Sequence, residues 1–259
     1  MGQRSLRSET QPRPTEAALA RLGWLAALWL GSRVIAGLLV GPFIDPEAPL
    51  TAGRLVLSQL PFWAATVAGL VWMARREAEP MGRFVRWGFA PGDAVVGLAA
   101  GFGLHWGVDG LYRVLDAIGV RGDASASARE LVEASPGWAG RTLLLAMVVV
   151  GAPVVEELYY RGVAQRTAVE LGRGTDAPGA GRAWGAGVGL VGVAAFFAIS
   201  HVNKSGDLIQ VPGLVLVGLV LGLLVWRSGR IGPSIVAHGV FNLCSLLVLW
   251  DVSSPFLAG

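Results

Sequence analysis

Two adjacent glutamates and an arginine lie within one long apolar run, in the stretch GAPVVEELYYRG at 151–162. Charged side chains are costly at membrane depth, so they usually face a bundle interior or a water-filled cavity and mark a functional site. Glu157 and Arg161 are four residues apart with the acid first, which is the favourable order for an ion pair on a helix. Glu156 lies about 100° round the helix from Glu157. The spacing therefore predicts one paired carboxylate and one free carboxylate.

Two neighbours of Glu156 indicate what the free acid contacts. Tyr160 follows Glu156 by four residues, so we expect a hydrogen bond between the two side chains. Pro153 precedes Glu156 by three residues. Because proline has no backbone N–H, we expect it to kink the helix and to free a carbonyl near the acid. A purely structural explanation, an ion pair alone, also fits Glu157 and Arg161.

Two further apolar runs each carry a histidine at helical spacing from a second residue. Phe197 and His201 are four residues apart, and so are His238 and Asn242. A carboxylate and an imidazole together can hold and deprotonate a water molecule. An imidazolium or a carboxamide can stabilise the oxyanion of a tetrahedral intermediate. With Glu156, these residues predict hydrolysis in a membrane cavity, although a lone membrane histidine is more often an interhelical hydrogen-bonding residue.

The composition indicates the fold that must position these side chains. The chain of 259 residues is 53% hydrophobic and 15% charged, whereas soluble domains have about 25% charged residues. Its mean hydropathy is +0.56. A membrane helix needs about 20 mostly apolar residues, and seven runs qualify: 18–42, 54–74, 92–117, 141–165, 183–202, 209–227 and 231–250. The predicted fold class is therefore all-α, a polytopic transmembrane helical bundle of about seven to eight membrane helices.

The domain organisation follows from the same runs. No internal repeat and no long linker is visible, so we predict a single membrane domain at 17–250. A disordered cytoplasmic tail at 1–16 precedes it, and a short tail at 251–259 follows. The charged second half of the third run suits an interfacial position, and 118–140 has room for an eighth, short or re-entrant helix. Small residues four apart suit close helix packing, at Gly97/Gly101, Gly185/Gly189 and Gly218/Gly222.

Charge and cysteine content exclude several function classes. The formal net charge is only +3, and the basic residues are scattered between apolar runs, so no nucleic-acid partner is expected. Cys244 is the single cysteine, which rules out an intrachain disulfide. The Cys and His residues also lack the spacing of a structural zinc site.

The distribution of basic residues predicts the orientation. Arginines precede the first run and follow the second, fourth and sixth, while the acidic segment DPEAP follows the first. The positive-inside rule then places a multi-pass protein in the cell (inner) membrane, with its amino terminus cytoplasmic and its carboxyl terminus outside for seven spans. His201 then lies at the opposite end of the bundle from Glu156 and His238. Either the fifth helix ends within the membrane, or the boundaries read from hydropathy are displaced. HVNKSGD at 201–207 would then be a loop that lines a cavity rather than an outer loop.

Three motifs, taken in order, resemble the signature of a known family. They are Glu156-Glu157-x-x-x-Arg161, Phe197-x-x-x-His201 and His238-x-x-x-Asn242. Together they are similar to those of the CPBP family, the intramembrane CAAX prenyl proteases and the bacteriocin-processing or abortive-infection proteins. The stretch GLVLGLLVWRSGRIGPSIVAHGVFN at 218–242 resembles the run into the last family motif. The resemblance covers 141–250.

The resemblance implies an all-helical membrane endopeptidase with a CPBP-type catalytic core. Carried over to this chain, it implies Glu156 as the general base and His201 as the residue that helps to orient and activate the water. It implies His238 and Asn242 as the oxyanion site. The supporting positions are Glu157, Arg161, Phe197 and Tyr160. The implied partners are the lipid bilayer and a peptide or a prenylated or otherwise lipidated protein, because the prenyl proteases remove a carboxy-terminal tripeptide from a prenylated protein.

The cofactor requirement stays open between two mechanisms. Glu156, His201 and His238 could ligate a divalent metal such as zinc, since two histidines and a glutamate form a known catalytic set. They could equally act on water without a metal, and an HExxH helix is absent from the sequence. We favour the metal-free mechanism slightly.

Two other function classes fit the same residues. A non-enzymatic membrane scaffold or bacteriocin-immunity protein would keep them for structure. An ion-coupled transporter would relay protons through buried Glu and His side chains. The transporter ranks lower because no inverted repeat is visible.

Overall fold

Helices make up the parts of the chain that the computed structural model describes, which are residues 14–43, 45, 48–173 and 180–250. No strand occurs within these ranges. The described elements are α1 Pro14–Val40, α2 Ala52–Arg76, α3 Met81–Phe84, α4 Pro91–Ala117, α5 Ala126–Glu133, α6 Gly137–Arg173, α7 Ala180–Ile199, α8 Val211–Ser228 and α9 Gly232–Leu249. Short 3₁₀ turns at Gly41–Phe43 and Ser205–Gln210 follow α1 and precede α8.

Six of the described helices are long and apolar enough to cross a membrane, namely α1, α2, α4, α6, α8 and α9. The segment Trp184–Ile199 of α7 is a shorter apolar helix. The predicted all-α polytopic bundle is confirmed, and the chain is a multi-pass membrane protein. The short amphipathic helix α5 occupies the segment in which an eighth, short helix was predicted.

Several predicted boundaries are wrong. Helix α1 begins at Pro14, inside the segment predicted as a disordered tail. The first residue of a helix has no intrahelical partner for its N–H, so a proline there loses no hydrogen bond. The negative charge of Glu16 in the first turn interacts favourably with the helix dipole and stabilises this end of the helix. The rest of that predicted tail, 1–13, and the predicted tail at 251–259 lie outside the described residues.

Helix α6 is 37 residues long, from Gly137 to Arg173, and exceeds the predicted run 141–165 at both ends. Its last turns are amphipathic: Thr167 and Val169 are buried, while Arg166 and Glu170 form an i, i+4 ion pair 2.9 Å long on the opposite face. A hydropathy criterion alone misses such turns. Helix α7 ends at Ile199, three residues before the predicted end at 202.

The middle of α6 contains two π-helical segments, Leu145–Gly151 and Glu157–Ala164, which flank the α-helical segment Ala152–Glu156. Pro153 lies between them and has no N–H to donate. In a π turn, residue 153 would donate to Val148, five residues earlier. The carbonyl of Val148 instead accepts the side-chain amide of Asn242, at 2.8 Å. The expected free carbonyl therefore exists, and it binds a residue of α9.

Glycines allow the helices that carry the site to approach closely. On α4, a Cβ added to Gly97 or Gly101 would lie 2.5 Å from the Cβ of Val236 or Val240 on α9. No such Cβ contact is tolerated, so α4 and α9 need glycine to pack at this distance. The pairs Gly185/Gly189 and Gly218/Gly222 likewise face the backbone or side chains of neighbouring helices. All three predicted small-residue pairs thus lie in helix interfaces.

Candidate active site

Glu156 and Glu157 are adjacent in α6 but have different surroundings. The side chain of Glu157 is 0% exposed, whereas that of Glu156 is 20% exposed and lines a cavity. The backbone passes from an α-helical to a π-helical segment between the two residues. The predicted division into a paired and a free carboxylate is seen in the contacts of both side chains.

Glu157 is the centre of a buried ionic cluster. Its Oε1 lies 3.0 Å from Nη1 of Arg161, the pair that the i, i+4 spacing predicts. The same oxygen lies 3.1 Å from Nδ1 of His238 on α9. The guanidinium of Arg161 also stacks 4.3 Å from the ring centroid of Phe197. A buried charge is costly unless it is paired, so His238, the third member, helps to hold the charges there. The other carboxylate oxygen of Glu157, Oε2, has no hydrogen-bond partner among the described residues.

The contact between His238 and Glu157 is the interaction that sequence reasoning missed. The two residues are 81 positions apart, so no helical spacing connects them. A carboxylate that accepts from Nδ1 of a histidine fixes the tautomer and orientation of the ring. The other ring nitrogen, Nε2, then faces away from the cluster. Glu157 therefore positions His238 as well as neutralising Arg161.

Glu156, His201 and His238 converge on one point. Oε2 of Glu156 lies 3.7 Å from Nε2 of His201 and 3.9 Å from Nε2 of His238. Both separations are too long for direct hydrogen bonds. Among the described residues, this buried oxygen has no hydrogen-bond partner. An unpaired carboxylate oxygen between two imidazoles is an arrangement that a polar reactant would complete.

The Nδ1 contacts of both histidines determine what their Nε2 atoms can do. Nδ1 of His201 is 2.7 Å from the carbonyl oxygen of Phe197, so it must donate a proton. Nδ1 of His238 likewise faces the carboxylate of Glu157. In the neutral form of each ring, Nε2 is then an acceptor. A water molecule has two protons, so it can donate to two of these three acceptors, which are the carboxylate oxygen and the two Nε2 nitrogens.

The side chains of Glu156, His201 and His238 are also of the types that bind metal ions. A carboxylate and two imidazoles are suitable ligands for zinc. In the described part of the chain, however, no group of three His, Cys, Asp or Glu side chains is arranged to hold a metal ion. The metal-free mechanism therefore stays a prediction.

Tyr160 does not contact Glu156 as predicted. Its hydroxyl pairs with Oγ of Ser200, at 2.7 Å. Ser200 in turn donates to the carbonyl of Phe197, also at 2.7 Å. Ser200, just after the end of α7, thus occupies the hydroxyl of Tyr160, and helical spacing within α6 gives no indication of this partner from another segment. Tyr160 still lines the same cavity as Glu156.

Asn242 lies one helical turn after His238 on α9, as the spacing predicts. Its side-chain N–H donates to Val148, and the residue is not among those that line the cavity beside Glu156. An amide nitrogen carries two hydrogens, of which the contact with Val148 uses one. Its part in an oxyanion site stays a prediction.

His201 reaches Glu156 because α7 ends early. The loop after α7 turns back along the cavity, which agrees with the alternative that HVNKSGD lines a cavity. Buried Asp207 fixes this loop by accepting from the backbone N–H groups of Asn203 at 3.0 Å and Lys204 at 3.2 Å. It also accepts from Oγ of Ser127 in α5, at 2.7 Å. Sequence reasoning missed Asp207, although an acid in the first turn before a helix is a recognisable capping signal.

The cavity beside Glu156 has a volume of about 1200 Å³. It extends from the middle of α6 to the ends of α1 and α2, the helix α5 and the loop after α7. Its wall is polar near Glu156 and mostly apolar towards α1 and α2, where Arg33, Ser58 and Gln59 are the polar exceptions. The apolar residues there include Ala36, Gly37, Val40, Leu50, Leu55 and Phe62. A cavity of this size accommodates a peptide segment together with an apolar chain.

Comparison with known proteins adds one finding. Residues 138–244 match the family model described as type II CAAX prenyl endopeptidase Rce1-like. The matched region includes Glu156, His201, His238 and Asn242, and it confirms the resemblance that the three motifs suggested. No curated protein and no solved structure matches the chain significantly. The family match supports the function of an endopeptidase within a membrane.

Proposed function

We propose that this protein is an intramembrane endopeptidase in which Glu156 activates a water molecule. The observation that carries the proposal is the unpaired Oε2 of Glu156, which lies 3.7 Å and 3.9 Å from the Nε2 atoms of His201 and His238. Glu156 and His201 line a large cavity, and His238 is buried beside them. The family match over 138–244 independently supports peptide hydrolysis.

The reaction begins with a water molecule bound by Glu156 and His201. Glu156 takes one proton of the water, and the oxygen forms a bond to the carbonyl carbon of the substrate. The carbonyl π electrons move onto its oxygen and give a tetrahedral oxyanion. When the intermediate collapses, the C–N bond breaks, and the proton held by Glu156 passes to the leaving amine. Glu156 thus returns to its carboxylate form without a covalent intermediate.

The oxyanion requires hydrogen-bond donors in a site from which bulk water is largely excluded. His238 supplies one from Nε2 when the ring is protonated at both nitrogens, with Nδ1 donating to the carboxylate of Glu157 at 3.1 Å. Asn242 supplies a second from the amide hydrogen that Val148 does not use. Arg161 keeps Glu157 ionised in the buried cluster by its own charge, at 3.0 Å.

The substrate that suits the cavity combines a peptide with an apolar chain. The polar wall beside Glu156 suits a peptide bond, and the apolar wall between α1 and α2 suits a prenyl or acyl group. This combination agrees with the substrates of CAAX prenyl endopeptidases, and a lipidated protein is the substrate we infer.

The cavity opens towards the end of the bundle opposite the basic loops. The ends of α2, α6 and α8, which meet at the other end, carry Arg75, Arg76, Arg173 and Arg227. The positive-inside rule makes that end cytoplasmic, so substrate enters from the opposite side. In a Cys244→Ala background, a membrane-impermeant maleimide on intact cells should label Ser205→Cys and not Arg83→Cys. Labelling of Arg83→Cys and not of Ser205→Cys would show that the protein has the opposite orientation in the membrane.

Glu156→Gln tests the mechanism directly. The purified full-length protein is incubated in lipid nanodiscs with pooled decapeptides, with and without a farnesylated cysteine, and the products are identified by mass spectrometry. We expect cleavage by the native protein and a loss of about 10²- to 10⁴-fold in Glu156→Gln. A chelator should leave the native rate unchanged. Undiminished cleavage by Glu156→Gln would remove Glu156 as the base, and zinc-restorable loss on chelation would replace the metal-free mechanism.

A further inference from the structure

A second charged side chain shares the cavity with Glu156 and has no part in the mechanism above. Arg33 is on α1, outside the region that matches the family model, and lines the same cavity. Its guanidinium stacks over the ring of Trp29, 4.9 Å from the centroid. Nη2 donates to Oδ1 of Asn203, at 3.3 Å. Arg33 is an exposed residue, and these two contacts place its cation at the cavity wall.

Arg33 is connected to the reactive end of the cavity through two residues. Asn203, which accepts from Arg33, donates from Nδ2 to the backbone carbonyl of His201, at 3.1 Å. His201 faces Oε2 of Glu156 with its Nε2. The cation and the proposed base are therefore on one continuous wall, separated by the side chains of Asn203 and His201.

The other charges around the cavity are already compensated. Lys204 pairs with Glu130 at 2.8 Å, and Asp207 accepts hydrogen bonds from backbone amides and Ser127. Arg33, by contrast, has no carboxylate within ion-pair distance among the described residues. A guanidinium has several N–H donors in one plane, and the described contacts of Arg33 use one of them. An arginine in a membrane helix without a charge partner marks a binding function.

We propose that Arg33 binds a carboxylate of the substrate. This inference rests on the proposed function and specifies its substrate: a peptide with a carboxylate on one side of the scissile bond. A planar guanidinium recognises a carboxylate through paired hydrogen bonds. Glu156 repels the same carboxylate, so the anion is directed to the Arg33 end and the scissile carbonyl to Glu156. The carboxylate is either the chain terminus or an Asp or Glu side chain.

A lipid phosphate is the other anion that could reach an arginine near the end of a membrane helix. The stacking on Trp29 and the bond to Asn203 favour the substrate, because they hold the guanidinium on the wall that includes Glu156. An arginine that reaches the headgroups extends its side chain towards the bilayer surface.

The test compares three pools of farnesylated decapeptides with the full-length protein in nanodiscs. The first pool lacks Asp and Glu and has a free carboxyl terminus, the second is the same pool amidated, and the third is amidated but contains one Asp or Glu. We expect kcat/KM about 10- to 100-fold higher for the first or the third pool than for the second, with the difference in KM. Preference for the first pool identifies the chain terminus, and preference for the third identifies a side chain.

Arg33→Gln should remove this preference, and Arg33→Lys should keep part of it. Arg121→Gln is the matched control, because Arg121 is 84% exposed, lies at the same end of the molecule and approaches Asp116 only at 4.0 Å. Equal rates on the three pools by the native protein, or an equal loss on all pools in Arg33→Gln, would overturn the proposal and assign Arg33 to lipid or to the fold.

Failure of this inference is distinguishable from failure of the proposed function. Glu156→Gln is measured with the same pools, and binding of fluorescent pool peptides to Glu156→Gln is followed by anisotropy. Loss of cleavage in Glu156→Gln without any carboxylate preference refutes only the role of Arg33. Full cleavage by Glu156→Gln refutes the proposed base. If the native protein cleaves no pool and Glu156→Gln binds none, both proposals are wrong.

Discussion

Glu156 and Glu157 are consecutive residues with the same side chain, yet one lines a cavity and the other is completely enclosed. Around Glu157 each charge has an opposite charge or an aromatic ring against it: Arg161, His238 and Phe197. Beside Glu156, the Nε2 atoms of the two imidazoles lie 3.7 Å and 3.9 Å from Oε2, which is too far for a hydrogen bond, so this oxygen is unpaired. The enclosed acid contacts Arg161 and His238, and the cavity acid is the one to which we assign the reaction in our proposal.

The largest effect on stability is expected at the enclosed acid. Glu157→Gln removes one partner of a buried ion pair and leaves Arg161 uncompensated, which costs about 3–5 kcal/mol. Thermal unfolding of the purified protein in detergent should show a clear decrease in Tm. In Glu156→Gln, by contrast, a partly buried carboxylate with an unpaired oxygen becomes neutral, and Tm should not decrease.

Glu130→Gln is the matched control for charge removal, because Glu130 is 67% exposed and pairs with Lys204 at 2.8 Å. Exposed ion pairs contribute at most about 1 kcal/mol. Equal decreases in Tm for Glu156→Gln and Glu157→Gln would show that the two acids do not have different roles.

An intermediate effect is expected at Asp207, which fixes the loop that brings His201 to the cavity. In Asp207→Asn one oxygen becomes an NH₂ group that cannot accept from the amides of Asn203 and Lys204. Hydrogen bonds to charged groups contribute about 1.5–3 kcal/mol. We expect faster hydrogen exchange at 200–207 and a decrease in kcat of about tenfold, since His201 is no longer held in place.

Asp123→Asn provides the comparison, because Asp123 also accepts a backbone N–H, at 2.8 Å from Ser125, but is exposed and far along the chain from His201. In Asp123→Asn, the hydrogen-exchange rates of residues 200–207 should equal those of the native protein. Unchanged exchange and unchanged kcat in Asp207→Asn would mean that the position of His201 does not depend on this acid.

The smallest effect is expected at Tyr160. Tyr160→Phe removes a single hydrogen bond to Ser200, which contributes about 0.5–1.5 kcal/mol. Because the hydroxyl contacts Ser200 and not Glu156, cleavage should fall by less than about tenfold. Tyr112→Phe removes a comparable bond, 2.8 Å to the carbonyl of Ile209, away from the cavity. A loss of activity as large as that of Glu156→Gln would place Tyr160 in the chemistry itself.

Local spacing predicted those parts of the site that lie within one turn of one helix. The ion pair between Glu157 and Arg161 is confirmed, because i, i+4 residues are neighbours on any helix of nearly regular pitch. The expected bond from Tyr160 to Glu156 is wrong for the complementary reason. The hydroxyl of Tyr160 binds Ser200, 40 positions away, and local spacing contains no information about a partner from another segment.

Contacts between helices could not be read from spacing. The approach of His238 to Glu157 joins α9 to α6, and the bond from Asn242 to Val148 joins the same helices one turn away. Glycines such as Gly97 and Gly101 indicate that some helices pack closely, but they do not state which partner they meet. The depth of His201 likewise depends on Asp207 and Ser127, which are 80 positions apart.

The sequence by itself determined the all-α membrane class and the set of side chains to which we assign peptide hydrolysis in our proposal. Apolar length, low charge and three ordered motifs suffice for that, because the hydrophobic effect and helical periodicity act locally along the chain. Only the tertiary structure decided which glutamate is enclosed and which faces the cavity, and that Arg33 shares the cavity with the free one. Burial is a property of neighbouring helices, and residues far apart in sequence supply those neighbours.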